Sequence, residues 1–314
     1  MLLPLLPKPS YQTVKETAMQ PEQCIDSNRG LGLAESLVAD VAGLVSPPDI
    51  CIKIGELVQD PKASTQSIGE IIIRDPNLTG RLLRLVNSSF YGLRTKVDTV
   101  SRAITVVGTR DLYALVLAIS AVKSFSHLPN KLVNMDTFWR HSLYTALIAR
   151  ILAKRVDVLH PERLFISGLL HDIGSLVVYS RLHELAREIL LTAKGDEEVF
   201  YHMEMEMLGF SHAELGGLLL AQWQMSPTLQ DAVACHHTPA KARTAVLESA
   251  ILHISNVLAN RSGLGGYCEM GECLSAIDER ALEVLGLAPG NLAETEITGE
   301  AGLQFADTAA LLAA

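Results

Sequence analysis

Apolar residues recur every three or four positions through most of this 314-residue chain, the spacing of helices that bury one face. The stripe begins at Ala34-Glu-Ser-Leu-Val-Ala-Asp-Val-Ala-Gly-Leu-Val45, after a start rich in Pro, Gln and small polar residues that reads as a tail or strap over residues 1–30. Short helices are then predicted over Asp49 to Leu57, Ser64 to Arg74, Pro76 to Ser88, Thr99 to Val107 and Thr109 to Phe125. Asp75-Pro76 supplies an N-cap carboxylate and a proline at the first helical position, ahead of Leu78, Leu82, Leu83 and Val86 at helical spacing. Gly108 punctuates the last pair. In the second half, helices are expected at about 135–155, 161–180, 182–194, 196–207, 211–222, 226–236, 244–260 and 278–285. Ser211-His-Ala-Glu214 fits a capping box, which places His212 in a first helical turn.

Loop signals in His127-Leu-Pro-Asn-Lys set a boundary near residue 130. The expectation is an all-α, multi-helix bundle with an N-terminal helical part over residues 31–130 and a second helical part over 131–287. Residues 288–314 turn acidic and Ala/Gly-rich and read as a poorly ordered or loosely packed C-terminal tail.

One stretch departs from the amphipathic pattern. Leu164 to Tyr179 is apolar on every side of a predicted helix, yet it carries His171 and Asp172 at its centre. Burying an ionised carboxylate there costs several kcal/mol or more unless it is paired or bound to a cation. The same half of the chain holds His141, His212 and the pair His236-His237. Neutral imidazoles with a carboxylate suit Zn, Mn, Fe or Ni, and a shared carboxylate can bridge two such ions. For any single member, a core histidine hydrogen-bonded to a carboxylate is the commoner explanation; the full set is harder to dismiss.

Composition narrows the function. Hydrophobic content of 48%, with aromatics at only 5%, fits a helical core. A net charge of −9 argues against broad binding to a nucleic-acid backbone. Cys24, Cys51, Cys235, Cys268 and Cys273 are odd in number and scattered, which fits reduced thiols in a cytoplasm better than a disulfide framework. Neither a signal peptide nor a membrane-spanning segment is expected.

The order His141…His171-Asp172…His212…His236-His237, with Gly-Leu-Leu-His171-Asp172-Ile-Gly174 at its centre, resembles the HD superfamily of metal-dependent phosphohydrolases. The segment from Arg74-Asp-Pro through Asn87-Ser-Ser-Phe-Tyr-Gly92, then Ala103-Ile104, Gly108 and Trp139-Arg-His141-Ser142, resembles the HDOD family, regulatory relatives of those hydrolases. Glu204-Met-Glu-Met-Leu-Gly209-Phe-Ser-His212, Trp223 and His236-His-Thr-Pro239 extend the match, which spans residues from about 35 to 260.

The resemblance implies an HD-like second part in which His141, His171 and Asp172 serve one metal and Asp172, His212, His236 and His237 a second. It also implies two departures. Ser175 stands where the hydrolases carry a lysine for phosphate chemistry, and Asn256 stands where they carry a last aspartate. An amide offers one neutral oxygen, so Asn256 is a weak ligand at best and the second position is the better provided. No Gly-Tyr-Pro loop follows His237, as the cyclic-di-GMP hydrolase branch would require.

The expected function is bacterial signal transduction through binding of a partner protein or nucleotide-like ligand, with one or two divalent or transition metal ions. The alternative is a metal-dependent phosphohydrolase acting on a nucleotide or phosphate ester; a third reading makes the metal purely structural. A homodimer is compatible with all three. His253 is read as core-capping rather than ligating, and His127, His160, His183 and His202 as surface residues. Asn87, Ser88 and Tyr91 read as a capped helix end. Arg81, Arg84 and Arg94 form a basic group suited to an anion, although a solvated face is commoner.

Overall fold

Side-chain caps open most of the helices that matter for the site. The computed structural model describes residues 27–42, 49–60, 62–88, 91, 93, 95–126, 132–265, 276–288 and 290–313, and among these there is no strand. In the first half, α1 (Ser27–Ala42), α2 (Asp49–Gln59), α3 (Thr65–Ile73), α4 (Pro76–Asn87), α5 (Val100–Val107) and α6 (Thr109–Ser126) follow the predicted stripes within a few residues, except that α1 starts earlier. Asp75 caps α4 by accepting the amides of Asn77 at 2.9 Å and Leu78 at 3.0 Å. Asn87 closes the same helix: its amide nitrogen donates to the Leu83 carbonyl, and its oxygen accepts the amide of Val97 at 2.6 Å. Gly108, at φ +89°, turns the chain through 115° between α5 and α6.

The second half continues with α7 (Met135–Arg155), α8 (Glu162–Leu170), α9 (Ile173–Arg181), α10 (His183–Ala193), α11 (Glu197–Met207), α12 (His212–Gln222) and α13 (Pro227–Ala234). After a short 3-10 turn come α14 (Val246–Arg261), α15 (Glu279–Val284) and α16 (Glu294–Ala313). Helix α7 is the axis of this half, with α8, α14 and α16 packed around it. The expected capping box at Ser211 and Glu214 is present.

Two expectations need correction. The stretch predicted as one helix over 161–180 is broken at His171-Asp172, where α8 ends and α9 starts. Helix α9 restarts through the amide of Ser175, which donates to the Asp172 carbonyl, while the Asp172 side chain makes no capping bond. The break lets α9 press against α12 so closely that a Cβ on Gly174 would lie 2.0 Å from the carbonyl oxygen of His212. The acidic C-terminal tail is not loose either. Ile297 and Ala301 are buried, Tyr144 donates to the Thr298 carbonyl at 2.6 Å, and the buried Arg150 reaches Gln304 at 2.6 Å. Acidic composition hid a helix whose apolar face is narrow.

Buried apolar side chains from Ala34 to Ala301 form one continuous core across both halves. Arg163 of α8 grips Asp111 of α6 with two bonds of 2.9 and 3.2 Å, and Tyr113 donates to the Trp223 carbonyl. Helix α1 lies across α9 and α12, with Arg181 bonded to the Asp40 carbonyl. No single helix among the described residues is long and apolar enough to cross a membrane.

Candidate metal centre

All six residues singled out by the sequence meet in the second half. His141 projects from the middle of α7, His171 and Asp172 from the break between α8 and α9, and His212 from the first turn of α12. His236 and His237 follow the end of α13. Asp172 sits at the centre. One carboxylate oxygen lies 3.1 Å from His171 Nε2 and 3.6 Å from His141 Nε2; the other lies 3.3 Å from His212 Nε2 and 3.7 Å from His236 Nε2. The Nε2 atoms of His141 and His171 are 3.2 Å apart, and those of His212 and His237 are 3.0 Å apart.

The far side of each ring explains this convergence. Nδ1 of His141 donates to the Gly265 carbonyl at 2.7 Å, that of His171 to Gly168 at 2.8 Å, and that of His236 to Val233 at 2.7 Å. Nδ1 of His212 meets the buried Glu204 carboxylate at 2.5 Å. Each bond fixes the ring and leaves the Nε2 lone pair facing inward, the support that metal-binding imidazoles ordinarily receive. The His237 ring is stacked on Tyr201, 4.7 Å away between centroids. Asp231 secures the loop beyond: its carboxylate accepts the amides of Arg243, Thr244 and Ala245 at 2.6–2.9 Å.

Two further carboxylates belong to the centre. Glu197 is buried, and with His141, His171 and Asp172 it forms one set whose donor atoms lie within 4.8 Å of one another; with His212, His236 and His237 it forms a second. It therefore stands between both groups and supplies a carboxylate to each. Asn256 donates to Glu197 at 2.8 Å, and its own oxygen is engaged by Asn260 at 3.3 Å. Asn256 thus holds Glu197 and also bonds His141, so that the carboxylate nearest this position is the one carried by α11. Glu197 escaped notice because a helix start rich in acids ordinarily faces solvent, and Glu204 was seen only as part of the family-like segment, without a role. The available signal was the spacing of Glu197, Phe200, Tyr201 and Glu204, which is that of a single helical face; all four are buried.

Electrostatics follow from burial. Desolvation pushes His141 down to about 4 and holds His236 and His237 well below the ordinary histidine range. Burial acts the same way on His171 and His212, but the Asp172 carboxylate beside the first, and those of Glu204 and Asp172 beside the second, outweigh it and raise both. Burial pushes Asp172 upward, yet His171 and His212 hold its carboxyl well below the usual range. Glu197 is pushed up to about 7 by burial and by the charge of Asp172.

Both Asp172 oxygens and the His236 Nε2 are buried without a hydrogen-bond partner. Orphaned acceptors of this kind, facing one another among nitrogen and carboxylate donors, fit a divalent or transition metal ion. His253 lies outside this set: Nδ1 bonds to the His236 carbonyl at 2.9 Å and Nε2 accepts the amide of Asp278 at 3.0 Å. His160, His183 and His202 are exposed, while His127 and Arg94 lie outside the described residues.

Comparison with known proteins bears on the fold and the family. An HDOD domain protein of unknown function from Geobacter sulfurreducens superimposes with a TM-score of 0.64 at 23% identity, covering 90% of this chain and 98% of its own. A candidate phosphohydrolase from Shewanella amazonensis SB2B gives 0.63 at 23% identity, covering 88% and 97%. At these identities the likeness shows the fold. An uncharacterized protein of Treponema pallidum (strain Nichols) is 25% identical over 207 residues, 65% of this chain; the chain spans 40% of that relative's length. Residues 44–239, more than half of the chain and including all six site residues read from the sequence, match the HDOD domain, and the chain belongs to the HDOD domain family.

Proposed function

We propose that this HDOD protein holds one or two divalent or transition metal ions in the His/Asp/Glu cluster and serves as a regulatory component of signal transduction. It would act by recognising a partner protein or a nucleotide-like ligand. The observation that carries this reading is the depth of the donor set. The side chains of His141, His171, Asp172, His212 and His236 are at most 1% exposed, and His237 is 11% exposed. A hydrolytic centre must admit both a phosphate and an attacking water. Ser175, where the hydrolases place a lysine, is itself buried.

A bound cation would supply positive charge against Asp172 and Glu197 and join the segments that carry the donors. The protein's own contribution is orientation: backbone carbonyls and Glu204 aim the imidazoles, while Asn256 and Asn260 hold Glu197. Because donors come from α7, the α8–α9 break, α11, α12 and the turn after α13, metal occupancy would be felt across much of the second half. The alternative, a metal-dependent phosphohydrolase, is favoured by the way Asp172 faces two imidazole pairs, an arrangement suited to two ions.

Elemental mass spectrometry on untagged protein tests both readings. Near-stoichiometric metal is expected in the wild type and is expected to be lost in His171→Ala and His237→Ala, with no turnover of phosphate esters or cyclic nucleotides. A folded, metal-free wild type would overturn the metal centre. Turnover abolished by Asp172→Asn would replace the binding reading with the hydrolase.

A further inference from the structure

In the N-terminal half, a cavity of about 250 Å³ lies among α2, α4 and α6. Its apolar lining comes from Ile50, Leu78 and Ile119, and its cationic groups are Arg81 and Lys123. Asn77, Ser120 and Ser124 add amide and hydroxyl groups, and Asp75 is the acid. The Asp75 carboxylate is already committed, because one of its oxygens accepts the two amides that open α4. Arg81 is in the opposite condition: its Nε is buried and has no hydrogen-bond partner. Neither Arg81 nor Lys123 forms an ion pair among the described residues. A buried guanidinium donor without an acceptor is unusual, and an anion in the cavity would satisfy it.

We propose that this cavity is a binding site for a small organic monocarboxylate, its carboxylate held by Arg81 and Lys123 and its apolar body against Ile50, Leu78 and Ile119. The charge balance selects the class: two cations against the one carboxylate of Asp75 leave a single positive charge, which suits a monoanion better than a phosphate dianion. The guanidinium fork matches a carboxylate in plane. The volume is just below the range of about 300–1,000 Å³ that is usual for small-molecule sites, so the ligand is a small one. Of the three arginines grouped in the sequence, Arg81 thus has a task distinct from that of Arg84, which is exposed one turn further on. The site stands apart from the metal centre and does not depend on that reading.

Calorimetric titration of the full chain with hexanoate tests the assignment, with 1-hexanol and inorganic phosphate as comparison probes. Saturable binding of hexanoate is expected, at least tenfold tighter than that of either comparison probe. Affinity should fall at least tenfold in Arg81→Met, fall less in Lys123→Met, and stay unchanged in Arg84→Met. Arg81→Lys, which keeps the charge and loses the fork, should bind with intermediate affinity, separating a lost contact from a lost fold. Equal binding of hexanol, equal binding of phosphate, no binding of hexanoate, or full affinity in a folded Arg81→Met would each overturn the proposal.

Discussion

The chain turns sharply at two places within an apolar stretch long enough for one continuous helix, and the two turns have different causes. At Gly108 the backbone adopts φ +89° and ψ 150°, and nothing lies within 4 Å of where a Cβ would be. That turn is a property of the residue. At His171-Asp172 neither residue is a helix breaker, the surroundings are fully buried, and the polar side chains face other polar side chains. The second turn is a property of the neighbours: α9 can lie against α12 because Gly174 leaves room, and the break delivers His171 and Asp172 to the same centre. A glycine can therefore serve as a hinge for its conformation or as a gap for a partner, and the two should respond differently to substitution.

The largest effect should come from the centre itself. Asp172→Ala removes the carboxylate that faces four imidazoles, and a loss of about 3–5 kcal/mol in unfolding free energy is expected, as for a buried charge network that loses one member. Denaturant unfolding measures it, and a loss under 1 kcal/mol would show that the turn does not depend on its charges. Next comes Gly174→Ala. Its Cβ would strike the His212 backbone, so a cost of about 3 kcal/mol is expected. The metal content should fall with it if the contact between α9 and α12 sets the site.

The metal-free protein should also lose stability in acid. His141, His236 and His237 have depressed values in the folded state, so below the ordinary histidine value of 6.5 the unfolded chain takes up protons that the folded chain refuses. Their stabilising effect is thus lost as pH falls from 6.5 towards 4. Glu197, raised to about 7, works in the opposite sense between its ordinary value of 4.5 and 7. The three depressed histidines outnumber Glu197, and His171 and His212, raised in the folded state, have most of their effect above pH 6.5, so net stability should fall between pH 6.5 and 5.5. A flat midpoint across that interval in urea melts would contradict the charge assignment, whereas metal-loaded protein should resist acid better. The smallest effect is expected for Gly108→Ala, where only backbone strain of about 1–2 kcal/mol is added. That variant should keep its metal; if it does not, the two turns are coupled.

Much of the first half was legible because its signals are local. Asp75-Pro76, Gly108 and the leucines of α4 each act within a few residues of where they stand. In the second half the six site residues were legible as a set, through their order and their resemblance to a known pattern. Their grouping around a shared Asp172 was implied by that resemblance, but the membership of Glu197 was not, because its partners Asn256 and Asn260 are 59 and 63 residues away in the chain. The C-terminal helix escaped for a related reason: its support comes from Tyr144 and Arg150, each bonded to a residue 154 positions on.

By itself, then, the sequence determined the helical class, the positions of most helices and the identity of the histidines and the aspartate, because periodicity, caps and glycine conformation are set by neighbours along the chain. The break at His171-Asp172, the carboxylate contributed by Glu197, the anchoring of each imidazole and the placing of Arg81 against a cavity were decided by tertiary structure. Burial changes the energy of a charge only once distant segments have closed around it.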